Sequence, residues 1–250
     1  MAAELTDVQV ERYSRQLILK GVGEAGQRRL AAASVLVVGA GGLGSPVVAY
    51  LASAGVGRIT VADGDRVEAS NLNRQPLHGD ADVGRSKAES GAEAARRLNP
   101  EVAVTSLAAR LDAAAIPGAI AGHTVVCDAT DDLATKFALN DACVAAGIPL
   151  VHAAILEYGG QLTTVVPGGP CYRCLFGAPP NPADVPSCAE AGILGSVAGV
   201  VGSLQATEAL KLILGVGQPL SGRLLIYDGL EQRTRQVAFQ RDPACAAPHR

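Results

Sequence analysis

The chain has 250 residues, 48% hydrophobic and 18% charged, with a formal net charge of −3, an ordinary composition for a water-soluble globular fold. Its 21 basic residues against 24 acidic ones withhold the general phosphate attraction behind most nucleic-acid affinity, and no local basic patch compensates, so nucleic acid is not an expected partner. With 5 Tyr, 3 Phe, no Trp and 29 Gly, the core must come from Val, Leu, Ile and Ala, which favours Val/Ile-rich strands covered by Ala-rich helices.

The N-terminus carries Glu4 and Asp7 and no apolar run before a cleavage site, so it does not read as a secretory signal and a cytoplasmic location is expected. Residues 6–32 read as helical, with Gly21, Gly23 and Gly26 interrupting the pattern. Ser34 to Gly39 is a fully buried strand that runs into Gly39-Ala-Gly41-Gly42-Leu-Gly44. A helix follows from Ser45-Pro46 to Ala54, with proline in its first turn, and then a second strand from Arg58 to Asp63. Strand, glycine turn, helix and strand within about thirty residues form the context that lifts this fingerprint above chance.

Asp63 to Gly84 is polar and loop-like, and Arg85 to Leu98 is a helix ending at Asn99-Pro100. Strands are expected at Val102 to Leu107, Thr124 to Asp128 and Pro149 to Ala154, with a helix from Asp132 to Ala146. This alternation predicts an α/β, Rossmann-like, doubly wound sheet, parallel in its N-terminal part. Gln161 to Val166, Arg223 to Asp228 and Thr234 to Gln240 read as strands without intervening helices, which continue the sheet with antiparallel members. Ala191 to Thr207 is uncharged, but it holds Gly192, Gly195, Gly199, Gly202 and Gln205 and leads into Glu208 and Lys211. It reads as a buried core helix whose glycines form one flat packing face, not as a membrane span.

Several residues carry chemistry. Backbone N–H groups of the glycine turn, with the helix behind them, attract a phosphate, and Asp63, nineteen residues past Gly44, suits a ribose hydroxyl. This pattern alone leaves a dinucleotide and ATP both open. Downstream, Asp65, Asn71, Arg74, Gln75 and Lys87 add an amide and cations able to neutralise a triphosphate. Asp131 by itself reads as a helix cap. Cys171-x-x-Cys174 has metal-knuckle spacing and lacks the strand-then-helix setting of a thioredoxin-like redox pair, which favours zinc. Six cysteines (127, 143, 171, 174, 188 and 245) without an export signal point to reduced thiols. Among them, Cys127 and Cys143 read as small core residues. His78, His123 and His152 have no partner spacing.

Taken together, Arg12-Tyr-Ser-Arg15-Gln16, the glycine turn, Asp63 with Asp65, Asn71-Leu-Asn-Arg74-Gln75, Gly84-Arg-Ser-Lys87, Asp128-Ala-Thr-Asp131, Cys171-Tyr-Arg-Cys174 and Gly202-Ser-Leu-Gln205 resemble the ThiF/MoeB/HesA family, bacterial relatives of ubiquitin-activating enzymes, over nearly the whole length. The resemblance implies one adenylation domain over 1–250, with a nucleotide-binding part at about 30–154 and a carrier-binding and zinc-site part at about 155–250. It implies a homodimer that uses ATP and magnesium to adenylate the C-terminal Gly-Gly carboxylate of a small ubiquitin-like sulfur-carrier protein. By position, Gly39, Gly41, Gly42 and Gly44 form the nucleotide turn and Asp63 holds the ribose. Asn71, Arg74 and Lys87 then contact phosphates, Asp131 binds magnesium, and Arg15 reaches the neighbour's γ-phosphate.

The family completes its zinc tetrahedron with a second CxxC, and here only Cys245 matches. Pro248 stands where the fourth cysteine belongs, leaving His249, a water or no ligand at all, so a Cys₃His site and loss of zinc are both open. Cys188 falls where relatives carry a thiol able to bond the activated carrier, and it is expected to be accessory. No sulfurtransferase domain follows, so sulfur is expected from a separate donor such as a cysteine desulfurase or rhodanese. The carrier's pathway, whether molybdopterin, thiamine or thiolated tRNA, is open. Alternative readings are a member of the superfamily that activates a tRNA, peptide or small carboxylate, a nicotinamide or flavin oxidoreductase, and a non-catalytic scaffold. The oxidoreductase leaves Asn71, Arg74, Lys87 and Asp131 without a purpose.

Overall fold

The computed structural model describes residues 4–180 and 191–249. Short helices α1 (Asp7–Arg12), α2 (Ser14–Leu17) and α3 (Gly23–Ala32) precede the first strand. They are three pieces instead of one because Tyr13 leaves helical geometry between α1 and α2 and the chain turns through left-handed Gly21 and enters α3 at left-handed Gly23. Then follow β1 (Ser34–Val38), α4 (Gly44–Ala54), β2 (Arg58–Ala62), α5 (Lys87–Leu98) and β3 (Ala103–Leu107). Next come α6 (Ile116–Ile120), β4 (Val125–Asp128), α7 (Leu133–Ala146), β5 (Leu150–Leu156) and β6 (Gly159–Val165). The described chain ends with α8 (Tyr172–Phe176), α9 (Gly195–Leu214), β7 (Arg223–Asp228) and β8 (Arg233–Ala238).

The eight strands form one sheet in the order β3-β2-β1-β4-β5-β6-β7-β8. β3 to β5 pair in parallel, while β6, β7 and β8 are antiparallel, as the change of texture after residue 154 predicts. The sequence reading places every strand to within two residues but misses the short helices α6 and α8, which are single turns with too few residues to show a period.

Alternation along the central strands builds two cores. On β1, Val35 and Val37 pack with Val47, Val48 and Leu51 of α4, whereas Leu36 and Val38 pack with Ile116 and Ile120 of α6 and Leu139 and Cys143 of α7. Burial on both faces is what a parallel sheet between two helix layers demands, and it explains the unbroken apolar run of β1. Cys127 and Cys143 are buried core residues, one in each layer, and desolvation pushes the Cys143 thiol up to about 12.

α9 is long and apolar enough by length and composition to cross a membrane, yet it packs inside the fold against α4 and strands β4 to β6. Gly195, Gly199 and Gly202 fall at helical spacing on one face, as expected, but only two of them meet neighbouring backbone. A Cβ on Gly202 would lie 2.6 Å from the Leu43 carbonyl oxygen of α4's N-cap, and one on Gly195 would lie 2.4 Å from the Asn73 carbonyl oxygen. Gly199 faces open space and Gly192 lies outside the helix.

Candidate functional site

Where β1 and β4 lie side by side the strand order reverses, and the loops leaving their C-terminal ends part to leave a crevice. A cavity of about 760 Å³ opens there, lined by residues from the ends of β1 to β7. The glycine turn forms its floor. Gly39 has φ +96°, and a Cβ there would sit 2.6 Å from the Ala129 carbonyl oxygen, so only glycine lets the loops after β1 and β4 approach this closely.

Ala40, next in the turn, is gripped from both sides. Its N–H donates to Asp63 Oδ2 at 2.8 Å, and its carbonyl oxygen lies 2.9 Å from His78 Nε2, with His78 Nδ1 2.8 Å from the Ser90 hydroxyl. Burial pushes the His78 pKa down, so the ring is neutral at pH 7, with Nε2–H donating to Ala40 and Nδ1 accepting from Ser90. Nothing in the sequence pattern around His78 announces this role.

Gly39, Gly41, Gly42, Asp63, Asp65, Arg74, Gln75, Lys87 and Asp131 all line the cavity. Gly44 does not line it; it is needed because a Cβ there would lie 1.9 Å from the Gly39 carbonyl oxygen, closing the turn. Lys87 is buried and its Nζ lies 3.3 Å from Asp65 Oδ2, while Arg110 meets Asp65 Oδ1 at 2.9 Å. Asp65 is partly desolvated, which opposes its charge, but Arg110 and Lys87 outweigh that and hold its pKa below the ordinary value. Gln75 is buried beside Gly41 with its Oε1 unpartnered among the described residues.

The capping role read for Asp131 falls to its neighbour. Asp132 Oδ2 accepts from the Thr135 N–H at 2.7 Å and the Thr135 hydroxyl at 2.6 Å, and Asp131 stays exposed on the cavity wall. One placement differs from the sequence reading. Asn71 is buried but does not line the cavity: its Oδ1 accepts the Glu68 N–H at 3.1 Å and its carbonyl oxygen accepts the N–H groups of Arg74 and Gln75, both at 3.0 Å. It shapes the turn that carries Arg74. Arg15 is exposed on α2, away from the cavity of its own chain.

Beneath the site lies an ionic cluster that sequence reasoning missed. Asp128, fully buried at the end of β4, receives Lys136 Nζ at 3.1 Å and His152 Nδ1 at 2.7 Å on Oδ2, and Oδ1 accepts the Thr130 N–H at 3.1 Å and its hydroxyl at 2.7 Å. Burial opposes the carboxylate charge, but Lys136 and His152 override it and hold the group well below the usual range. Thr130 joins Asp128 to Asp131, so the cluster fixes the loop on which Asp131 stands.

Cys171, Cys174, Cys245 and His249 converge, with ligand atoms all within 4.8 Å of one another. Cys171 Sγ lies 3.7 Å from Cys174 Sγ and 3.6 Å from Cys245 Sγ, and Cys174 Sγ lies 3.6 Å from His249 Nε2. A tetrahedron with Zn–S bonds of about 2.3 Å has edges near 3.8 Å, so this Cys₃His set fits zinc. Asn140 of α7 backs it, donating to Cys171 Sγ at 3.6 Å and accepting the Tyr172 N–H at 2.9 Å. His249 thus takes the place denied to Pro248, and Cys188 lies outside the described residues. Stripping the metal with a strong chelator is expected to expose residues 239–249 to protease and to lower Tm. No zinc in the purified protein and unchanged proteolysis would show a cluster of thiols only.

Three comparisons bear on this geometry. The model of the ThiF family matches residues 13–247. The SAMP-activating enzyme E1 of Haloferax volcanii is 51% identical over 245 residues, covering 98% of this chain and 91% of that one. The molybdopterin-synthase adenylyltransferase of Escherichia coli is 46% identical over 248 residues, covering 97% and 98%. Among solved structures, E. coli MccB superposes with a TM-score of 0.85 at 23% identity, covering 96% of this chain and 75% of that one.

Proposed function

The chain belongs to the ThiF family, and from that membership we propose that it is an ATP-dependent adenylyltransferase that activates the C-terminal Gly-Gly carboxylate of a small ubiquitin-like sulfur carrier. The observation that carries the reading is the continuity of the cavity. One end holds the glycine turn, Asp63, Arg74, Lys87 and Asp131, and the other holds Gly159, Gly160, Tyr172, Phe176 and Ile226. The first end suits a triphosphate, and the second has room for an extended chain end without side chains.

The chemistry follows from charge. The carrier's terminal carboxylate is ionised at pH 7, so no general base is needed. It attacks the α-phosphorus, the bond to the bridging oxygen breaks, pyrophosphate leaves and an acyl-adenylate forms. The obstacle is repulsion between an anionic nucleophile and a highly charged triphosphate, which preorganised positive groups lower. Arg74 and Lys87 serve the phosphates, the N–H groups of Gly41 and Gly42 add their dipoles, Asp63 takes the ribose and Gln75 supports the turn. Asp131 would hold magnesium, which draws charge from the triphosphate.

The working unit is a homodimer in which Arg15 reaches the partner's γ-phosphate. Its exposure, and the apolar Val8, Val10, Ile18 and Leu19 exposed beside it, support that reading. The enzyme works in the cytoplasm and receives sulfur from a separate donor.

The test is exchange of labelled pyrophosphate into ATP with magnesium and a panel of ubiquitin-like proteins ending in Gly-Gly. Carrier-dependent exchange is the expected result. Exchange with a peptide or small carboxylate instead would move the substrate class, and failure to bind ATP would overturn the reading.

A further inference from the structure

The cavity is unevenly furnished. Its aromatic residues, Phe137, Tyr172, Phe176 and Tyr227, lie toward β5, β7 and α8, where Tyr172 contacts Phe137 and Phe176 with ring centroids 5.0 and 4.7 Å apart. Past Asp63 from the glycine turn, the loops after β2 and β3 supply Gly64, Ala109, Arg110 and Leu111 to the wall, and Leu133 of α7 lines the cavity one turn before Phe137. If phosphates occupy the turn and the ribose sits on Asp63, the base falls against this wall. It offers apolar side chains and one planar group, the Arg110 guanidinium.

Arg110 is well placed. A Cβ on Gly64 would come within 2.7 Å of the Arg110 amide nitrogen, so the loops after β2 and β3 touch and its backbone is fixed. Its side chain is free to move, being 81% exposed and held on the half-exposed Asp65. An exposed pair of this kind costs little to break. The charge on Arg110 is favoured first by its hydrogen bond to Asp65, with smaller contributions from Asp132 and Asp131, so the guanidinium stands between the two acidic loops that flank the mouth.

We propose that Arg110 is the base-binding residue of this cavity, leaving Asp65 to stack its guanidinium on the purine face of the bound nucleotide. It supplies the π-surface that this wall otherwise lacks among the described residues, and stacking on a delocalised cation suits a purine better than a pyrimidine. The inference rests on the nucleotide reading above, and a single experiment separates the two.

Dissociation constants for ATP, AMP, CTP and inorganic tripolyphosphate are measured by calorimetry on the wild-type chain, Arg110→Ala and Arg110→Lys. The wild type should bind ATP more tightly than CTP. Arg110→Ala should weaken ATP and AMP by about tenfold each, leave tripolyphosphate unchanged and erase most of the preference for purine. Arg110→Lys, which keeps the charge and loses the plane, should behave like Arg110→Ala. Equal weakening of tripolyphosphate, or rescue by lysine, would assign Arg110 to the phosphates and overturn the proposal. No change in any affinity would reduce it to a surface ion pair. A wild-type chain that binds no nucleotide would instead defeat the reading on which the inference stands.

Discussion

Replacing Asp131 by Ala is expected to reduce pyrophosphate exchange by about a hundredfold or more while leaving the fold intact. Its carboxylate is exposed on the cavity wall, with no hydrogen bond or ion pair among the described residues, so its removal should change stability by no more than about 0.5 kcal/mol. The neighbouring Asp132 provides the control. Asp132→Ala removes the cap of α7 and should cost about 1 kcal/mol of stability with most activity kept. Measuring Tm and exchange on both variants decides the matter. Full exchange in Asp131→Ala would take that residue out of the site, and loss of exchange only in Asp132→Ala would mean that the two roles are reversed.

The largest effect on stability is expected from the ionic cluster. Lys136→Met leaves the Asp128 carboxylate buried with one cation gone, a change that costs about 3–5 kcal/mol. For a chain of this size that corresponds to a Tm lower by roughly 6–20 °C. Pairing it with Asp128→Asn removes the stranded charge and should recover part of the loss, which a double-mutant cycle measures. A single variant as stable as the wild type would show that the pair contributes nothing.

Acid should destabilise the protein in two stages. Burial lowers the pKa of His152 and of His78 in the fold, so below the ordinary histidine value near 6.5 the unfolded state binds more protons and stability falls. Asp128 is held below its ordinary value, and its contribution, full above about pH 4, is lost as the pH drops toward its folded pKa.

Much of the architecture is legible in residue order because it is written in local periods. β1 shows its double burial as an unbroken apolar run, and α4 shows its start in the glycine turn with Pro46 in its first turn. The site is legible only where a motif is contiguous. Asn71 sits inside the same short motif as Arg74, yet its side chain turns to cap the Glu68 N–H, because a tight turn uses its amide where a straight chain would present it to the cavity. Asp131 and Asp132 are neighbours of the same type, and only the path of the first turn of α7 decides which one caps.

What residue order determined by itself is the set of groups: a glycine turn after a buried strand, an acid nineteen residues on, cations beyond it and a CxxC pair. What the tertiary structure decided is which of them meet. His249 joins Cys174 across 75 residues, Arg110 joins Asp65 across 45, and His152 joins Asp128 across 24. Short spacings follow from helix and turn geometry, which any local stretch carries within itself. The Arg110 and His152 pairings follow from the order and register of parallel strands, and the His249 pairing from the path of the tail beyond antiparallel β8, all of which depend on how the whole sheet closes.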